Sequence, residues 1–392
     1  MWKRFAPNLR CVICEKPVEL IVIDEHDESP SSEDCARGER AGLSFEDLST
    51  CVDAGLFVCR ECGLWFPVLK GLPIFLPYTT DSHREFEKLY SVQIKKLGKG
   101  YSPPCENPVS GEEYVLQSFS REWSDYSFDD VLWTWTYEER RAIFLAEIGA
   151  SAISSAPSCF LEIGCGIGVV TSFASDYLQC DAVGVDLSLA AMRAAERYRH
   201  KPFMHFIQTS LWRLPFSREF CDVLYSHGVL HHTCDTERAF KAVAPFCKKG
   251  GIAYIWVYGP GSINESFIRR AAYSAEVFLR PRLARMPSAM ANVVLTPIAL
   301  GYMGVNMLQR LSGQKRQAYN FSRALHAVRD RFTPLYAHRV KAADVAIWFK
   351  EAGFDEVTEV LLSALPESAV DTFRRNVGMR GKKHFKTNGG AC

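Results

Sequence analysis

From residue 159 onward, short apolar runs alternate with stretches whose apolar residues recur at helical spacing. The runs at 159–163, 182–185, 203–207, 223–226 and 252–257 predict strands, and the stretches 169–178, 189–199 and 236–246 predict the helices between them. Strand–helix alternation of this kind winds a mostly parallel sheet with helices on both faces. Residues 260–339 interrupt the pattern with a helical insertion. A helix at 342–352, ended by Gly353, then restores it, and strands at 354–362 and 376–381 complete a doubly wound, seven-stranded α/β sheet.

The flanking segments follow other patterns. Residues 1–80 are rich in cysteine and turns, with short apolar runs such as 18–23. Residues 24–53 are acidic, Ser-rich and poor in large apolar side chains, which predicts a mobile insertion. Residues 81–150 turn helical and include the aromatic run Trp133-Thr134-Trp135-Thr136-Tyr137. The expected organisation is a small ribbon domain (1–80), a helical linker (81–150), the α/β domain (151–259 with 340–385) and a helical lid (260–339).

The lid holds a segment, 286–309, with no charged residue. Arg280, Arg282 and Arg285 precede it, and Arg310, Lys315 and Arg316 follow it. Pro287, Pro297, Asn292 and Asn306 interrupt it, so a buried lid over a site is expected rather than a membrane span, with a peripheral membrane contact through 286–309 as the alternative.

Composition narrows the class. The chain has 392 residues, 47% hydrophobic and 23% charged, as in soluble globular proteins, and its net charge of +1 excludes a global attraction to nucleic acid. Its fourteen cysteines stand in a chain with ample core residues, so free or metal-bound thiols in a reducing cytoplasm are expected. No apolar stretch follows the charges near Met1, so no signal peptide is expected.

The chemistry concentrates at the first strand of the alternating region, in Leu161-Glu162-Ile163-Gly164-Cys165-Gly166-Ile167-Gly168. A strand that ends in such glycines and opens into a helix lays bare backbone beside a ligand at the sheet's carboxyl edge. In a dinucleotide site the glycines read G-x-G-x-x-G and the helix faces a pyrophosphate. Here the spacing is G-x-G-x-G and Glu162 stands two residues before it, an acid that repels pyrophosphate but suits the sulfonium and amino group of S-adenosyl-L-methionine. Asp186, ending the next strand, is placed to accept hydrogen bonds from a ribose.

Six consecutive signatures carry a family resemblance: 161–168, 183–186, Leu214-Pro215-Phe216, 220–226, Val229-Leu230-His231-His232 and Lys248-Lys249-Gly250-Gly251. Residues 158–260 resemble the class I, Rossmann-like methyltransferases of the small-molecule type. The resemblance implies that Glu162 and the Gly164, Cys165, Gly166 and Gly168 loop hold the methionine end of the cofactor. It further implies that Asp186 holds the ribose, Leu187 packs on the adenine, and Ser226 and His227 close the cofactor from the fourth strand. Five residues before Pro215 the family carries an aspartate for the adenine amino group. This chain has Ser210, so the contact falls to a hydroxyl or to the Leu211 backbone.

Methyl transfer from a sulfonium needs alignment, exclusion of water and, for some acceptors, a base. The candidates are His227, His231 and Tyr258, while His232, Tyr336 and His338 lie in segments that can return to the pocket.

At the other end of the chain, Cys11-Val12-Ile13-Cys14 and Cys59-Arg60-Glu61-Cys62 form two C-x-x-C knuckles, which together complete a closed, structural zinc site. With the following 66–77 segment they resemble the zinc-ribbon activator subunit that partners RNA and protein methyltransferases, here fused to its enzyme. The expected function is methyl transfer from S-adenosyl-L-methionine to a small or amphiphilic acceptor. An RNA methyltransferase using the ribbon and the arginines at 269, 270, 280, 282 and 285 is the alternative, and a catalytically silent scaffold is a third.

Overall fold

The computed structural model describes residues 1–124, 131–132, 135–149, 158–260, 267–311, 318 and 320–384. Trp133, Thr134, Gly261, Lys315 and Arg316 lie outside the described residues.

Four strands come first: β1 (Glu19–Asp27), β2 (Thr50–Cys59), β3 (Leu64–Leu69) and β4 (Leu72–Phe75). Between β1 and β2 lie α1 (Ser32–Ala41) and α2 (Phe45–Ser49), so the segment expected to be mobile is folded. Its serines and aspartates are helix caps: Ser31 with Asp34, and Ser44 with Asp47, close reciprocal capping boxes. Arg37 of α1 is buried, with its guanidinium 3.8 Å from the Phe203 ring and bonded to the Cys180 carbonyl. Composition alone hid that anchor.

Helices α3 (Asp81–Lys96) and α4 (Glu112–Ser124), the short pair β5 (Val131–Leu132) and β6 (Trp135–Thr136), and α5 (Tyr137–Ile148) lead into the alternating region. Helix α5 opens on a Thr136–Glu139 capping box and ends at left-handed Gly149. Then follow β7 (Cys159–Ile163), α6 (Val169–Leu178), β8 (Asp181–Asp186), α7 (Ala190–Arg197), β9 (Met204–Thr209), β10 (Cys221–His227), α8 (Thr236–Val243) and β11 (Cys247–Val257). The lid helices are α9 (Phe267–Leu283), α10 (Ser288–Leu311) and α11 (Phe321–Phe332). The chain closes with α12 (Ala342–Glu351), β12 (Phe354–Glu359), α13 (Glu367–Arg375) and β13 (Val377–Lys383).

The seven expected strands lie in the order β9-β8-β7-β10-β11-β13-β12, with β13 antiparallel to both neighbours. The chain moves outward from β7 to β9 and returns to β10 beside β7, so a crevice opens at their carboxyl ends. The ribbon is not a separate layer: β4 pairs in parallel with β9 through Ile74 with Gln208 and Phe75 with Thr209, giving one sheet of eleven strands. Phe66 stacks on Phe75 at 4.8 Å, and the Thr209 hydroxyl donates to the Phe75 carbonyl at 2.8 Å.

The lid differs from expectation in one respect. Its small core joins Ala291, Leu295 and Ala299 of α10 to Leu283, Ala324, Val328 and Phe332. Only that face of α10 is buried, and the segment 286–309 forms the outer helix of the lid rather than a roof over a site.

A half-buried ion pair ties the N-terminus to the sheet. Both Arg4 guanidinium nitrogens reach Asp181, at 2.5 and 3.1 Å, and His205 approaches the same carboxylate at 3.1 Å. Burial alone would raise the Asp181 pKa, but His205 and Arg4 hold it well below the usual carboxylate range. Arg4→Ala leaves a mostly buried carboxylate without its cation and should lower stability at pH 7 by about 2 kcal/mol in urea unfolding. Because the depressed carboxylate contributes only above its unfolded pKa, the difference from the native chain should shrink below about pH 4.

Candidate functional site

At the end of β7 the chain turns sharply, and the Gly164 and Cys165 N–H groups donate to the Val185 carbonyl at 2.7 and 3.0 Å. Gly164 has φ +76°, and a Cβ there would lie 2.2 Å from the Val229 side chain. Gly168, at φ +80°, begins α6, and a Cβ there would strike the Phe206 ring at 2.7 Å. Neither position admits a side chain. Asp186 then receives the Gly166 N–H at 2.8 Å and the Ser188 N–H and hydroxyl at 2.8 and 2.7 Å. Glu162 is buried and accepts the Thr171 hydroxyl at 2.5 Å. Burial pushes its pKa up to about 8 against the pull of Thr171 and Arg140, with Asp186 adding to the rise.

A cavity of about 490 Å³ lies over this loop. Of the residues expected in the site, Glu162, Gly164, Cys165, Gly166, Asp186, Leu187, Leu211, His227 and Tyr258 line it. Four others stand behind it. Gly168 caps α6, and Ser226 donates its hydroxyl to the Ile163 carbonyl at 3.2 Å, joining β10 to β7. His231 is fully buried against the Tyr258 ring, 3.9 Å between centroids, and does not line the cavity. Ser210 is buried, and its hydroxyl accepts the Trp212 N–H at 3.3 Å.

The cavity also brings in residues that the sequence reading missed. Glu112 at the start of α4 lines it beside Ser210, held by the Val109 N–H at 3.1 Å. Its pKa is raised, mainly by burial, although the Ser210 hydroxyl lowers it. An acid is therefore present at the end where the family's aspartate is missing.

A hydrogen-bonded group surrounds Glu147, which is fully buried on α5. Its carboxylate accepts from Arg140 Nη1 at 3.1 Å, the Tyr225 hydroxyl at 2.5 Å, the Tyr254 hydroxyl at 2.9 Å and His227 Nδ1 at 2.7 Å. Burial favours the neutral acid, yet the Arg140 charge and these hydrogen bonds, that from His227 included, bring its pKa to about 2. The bond to Glu147 makes Nδ1 the protonated nitrogen of a neutral His227 and leaves Nε2 as an acceptor. Burial keeps the His227 pKa below the usual histidine value despite Glu147, and the ring stacks on Trp256 at 4.6 Å. One signal of this pair was available in the sequence: Arg140 and Glu147 stand seven residues apart on the helix stripe that also carries Ile143 and Phe144.

The lid and its return close the far side. The Tyr258 hydroxyl donates to Asp330 of α11 at 3.3 Å, and burial raises the Asp330 pKa. His232 donates from Nδ1 to the Tyr336 carbonyl at 2.8 Å, which anchors the lid's return strand and keeps Tyr336 on the cavity wall. The His338 backbone N–H donates to the His231 carbonyl at 2.9 Å.

Outside the residues that line this cavity, the Cys11, Cys14, Cys59 and Cys62 sulfur atoms all lie within 4.8 Å of one another, with Cys14 and Cys59 at 3.5 Å and Cys11 and Cys62 at 4.0 Å. A tetrahedron of thiolates about 2.3 Å from zinc has edges of about 3.8 Å, so the donor set fits one structural zinc ion. Cys35 and Cys51 stand outside the cluster.

Residues 161–255 match the family model of a methyltransferase domain. A 107-residue stretch is 32% identical to an uncharacterised protein of Synechococcus, covering 25% of this chain and about a quarter of the length of that relative. Among solved structures, the chain is similar to phosphoethanolamine N-methyltransferase 2 of Haemonchus contortus, bound to phosphomonomethylethanolamine and S-adenosylhomocysteine, at 14% identity over 72% of this chain and 62% of that one, TM-score 0.43. It is also similar to the complex of the Haloferax volcanii Trm112 methyltransferase activator with a methyltransferase, at 12% identity over 71% of this chain and 100% of that one, TM-score 0.38. Residues 161–255 are a methyltransferase domain.

The cysteine cluster predicts a metal content near one zinc per chain by atomic absorption. Cys59→Ser with Cys62→Ser should remove the metal and lower the melting temperature, since a closed zinc site contributes folding energy by holding the two knuckles together.

Proposed function

We propose that this chain, by way of its methyltransferase domain, transfers a methyl group from S-adenosyl-L-methionine to a small or amphiphilic acceptor. The main support is a pair of carboxyls, the buried Glu162 and the half-buried Asp186, on either side of a glycine loop whose bared backbone faces the cavity. When bound, S-adenosyl-L-methionine supplies a methyl group already activated on a cationic sulfur.

On this reading each end of the ligand has its own wall. Glu162 receives the ammonium of the methionine end, and the Gly164 and Gly166 backbone lies alongside it. Asp186 retains acceptor capacity for ribose hydroxyls beyond its three loop hydrogen bonds. Leu187 and Leu211 cover the adenine, and Glu112 accepts its amino hydrogen in place of the aspartate that Ser210 replaces.

The acceptor end carries aromatic rings, Trp135, Trp256, Tyr258 and Phe119, and its polar groups include His227, His232, Asp330 and Asn376. His227 Nε2 takes the proton that a hydroxyl or amine acceptor loses as its bond to the methyl carbon forms. The carbon–sulfur bond breaks with its electron pair left on sulfur. Glu147 is a positioning residue that fixes the imidazole's tautomer and stabilises the imidazolium. The ribbon, joined to the sheet edge at β9, serves as a built-in counterpart of an activator subunit, and the setting is the reducing cytoplasm.

Titration calorimetry tests the donor. The free protein holds Glu162 protonated up to about pH 8, and a cationic ligand favours the carboxylate, so binding should release a proton. Affinity for S-adenosyl-L-methionine should then rise from pH 6 to 8 by up to about tenfold per unit, and Glu162→Gln should flatten that dependence. Absence of binding at millimolar ligand would rule out the donor.

The base is tested once an acceptor has been found by screening phenols, alcohols and amines for S-adenosylhomocysteine release. His227→Asn should lower kcat by roughly a hundredfold or more while the donor's Kd stays within the same order. Glu147→Gln removes the charge that stabilises the imidazolium, so the acid limb of the pH–rate profile should move to lower pH. An unchanged kcat in His227→Asn would remove the base from the mechanism.

A further inference from the structure

The outer face of the lid has a character found nowhere else on the described surface. Met290, Val293, Pro297, Leu300, Gly304, Leu308 and Leu311 follow one another at steps of three and four along α10, and all are exposed, Val293 at 74%, Leu308 at 68% and Leu311 at 73%. By helical rise the strip is about 30 Å long. The helix is long and apolar enough to cross a membrane by length and composition over Ala289–Leu308. Yet its opposite face, Ala291, Leu295 and Ala299, is fastened to α11, and its two asparagines lie off the strip. Asn306 is buried, and Asn292 accepts from Arg329 at 3.1 Å. Spanning would tear this face from its partners, whereas lying in a membrane surface leaves every contact in place.

Charge identifies what covers the strip. Residues 260–339 carry twelve lysines and arginines against three acids, in a chain whose net charge is only +1. Of the acids, Glu276 is buried and ion-paired to Arg280 and Arg331, and Asp330 faces the cavity. Exposed Arg282 and Arg285 stand before the strip and exposed Arg310 near its end, and Arg282 stacks at 3.8 Å on Phe278, itself 60% exposed. An apolar strip flanked by cations fits the boundary between acyl chains and anionic headgroups; RNA would gain nothing from the apolar residues, and a second copy would bring like charges together.

We propose that α10 docks the lid onto an anionic lipid bilayer, lying in its surface with Val293, Leu300 and Leu308 in the acyl region and Arg282, Arg285 and Arg310 at the headgroups. The proposal stands on this surface alone and is independent of the methyl-transfer reading.

Flotation of the full chain with vesicles tests it. The chain should float with phosphatidylcholine vesicles containing phosphatidylglycerol, far less with phosphatidylcholine alone, and less as salt rises. Val293→Glu with Leu300→Glu and Leu308→Glu should weaken binding to the anionic vesicles at least tenfold, and Arg282→Glu with Arg285→Glu roughly tenfold or more. Both variants alter exposed positions, and circular dichroism and zinc content check that each is folded. Should the first variant fail to fold, the arginine variant still decides. No flotation with anionic vesicles, or flotation unchanged in the folded variants, overturns the proposal. So does a native dimer that the glutamates split without any vesicle binding, or salt-sensitive retention of RNA by a chain that binds no vesicles.

Discussion

A negative charge sealed inside the protein sets the terms for the centre of the structure. Glu147 is fully buried, and a buried carboxylate is tolerable only when donors meet it from several sides. Those donors come from Arg140 on its own helix, from Tyr225 and His227 on β10 and from Tyr254 on β11. Satisfying one side chain therefore fixes where α5 lies on the sheet and which way the His227 imidazole is turned. The same bonds that make the charge bearable prepare an acceptor nitrogen in the cavity.

The cavity owes its other walls to chain segments that reach it by long routes. The ribbon extends the sheet past β9, and from its last strand the chain returns through α3 to α4, which brings Glu112, Phe119 and Trp123 over the glycine loop. On the far side the lid descends through α11, where Asp330 meets Tyr258. The lid is thus two-sided: α11 serves the cavity, while α10 keeps one face on α11 and presents the other outward.

The two ends of the cavity also differ electrostatically. Around the glycine loop, burial raises the pKa values of Glu162 and Asp186 in the free protein, which primes both for a cationic, hydroxyl-bearing partner. At the lid end rings such as Trp256, Tyr258 and Tyr336 share the walls with Asp330 and Arg331, and burial lowers the pKa values of His231 and His232 there. A ligand that is cationic at one end and meets an amphiphilic acceptor at the other matches that division.

What the sequence determined by itself was local. The Gly164–Gly168 loop, Glu162, Asp186, the two cysteine knuckles and the strands from β7 to β11 were legible because each rests on backbone conformation or short spacing. Gly164 and Gly168 adopt angles, and sit against neighbours, that no other residue tolerates, and a C-x-x-C turn holds two sulfurs together whatever surrounds it. The serines and aspartates of residues 24–53 were equally local in action, but their composition resembles that of a mobile segment, and only the capping boxes reveal the difference. Tertiary structure alone decided the rest. Glu147 with His227, Glu112 beside Ser210 and Asp330 with Tyr258 are about 70 to 110 residues apart, and the value of each depends on burial that no spacing encodes. The pairing of β4 with β9 and the outward face of α10 belong to the same class. Which polar group is buried with its partner, and which apolar face is left exposed, is settled only when distant elements pack.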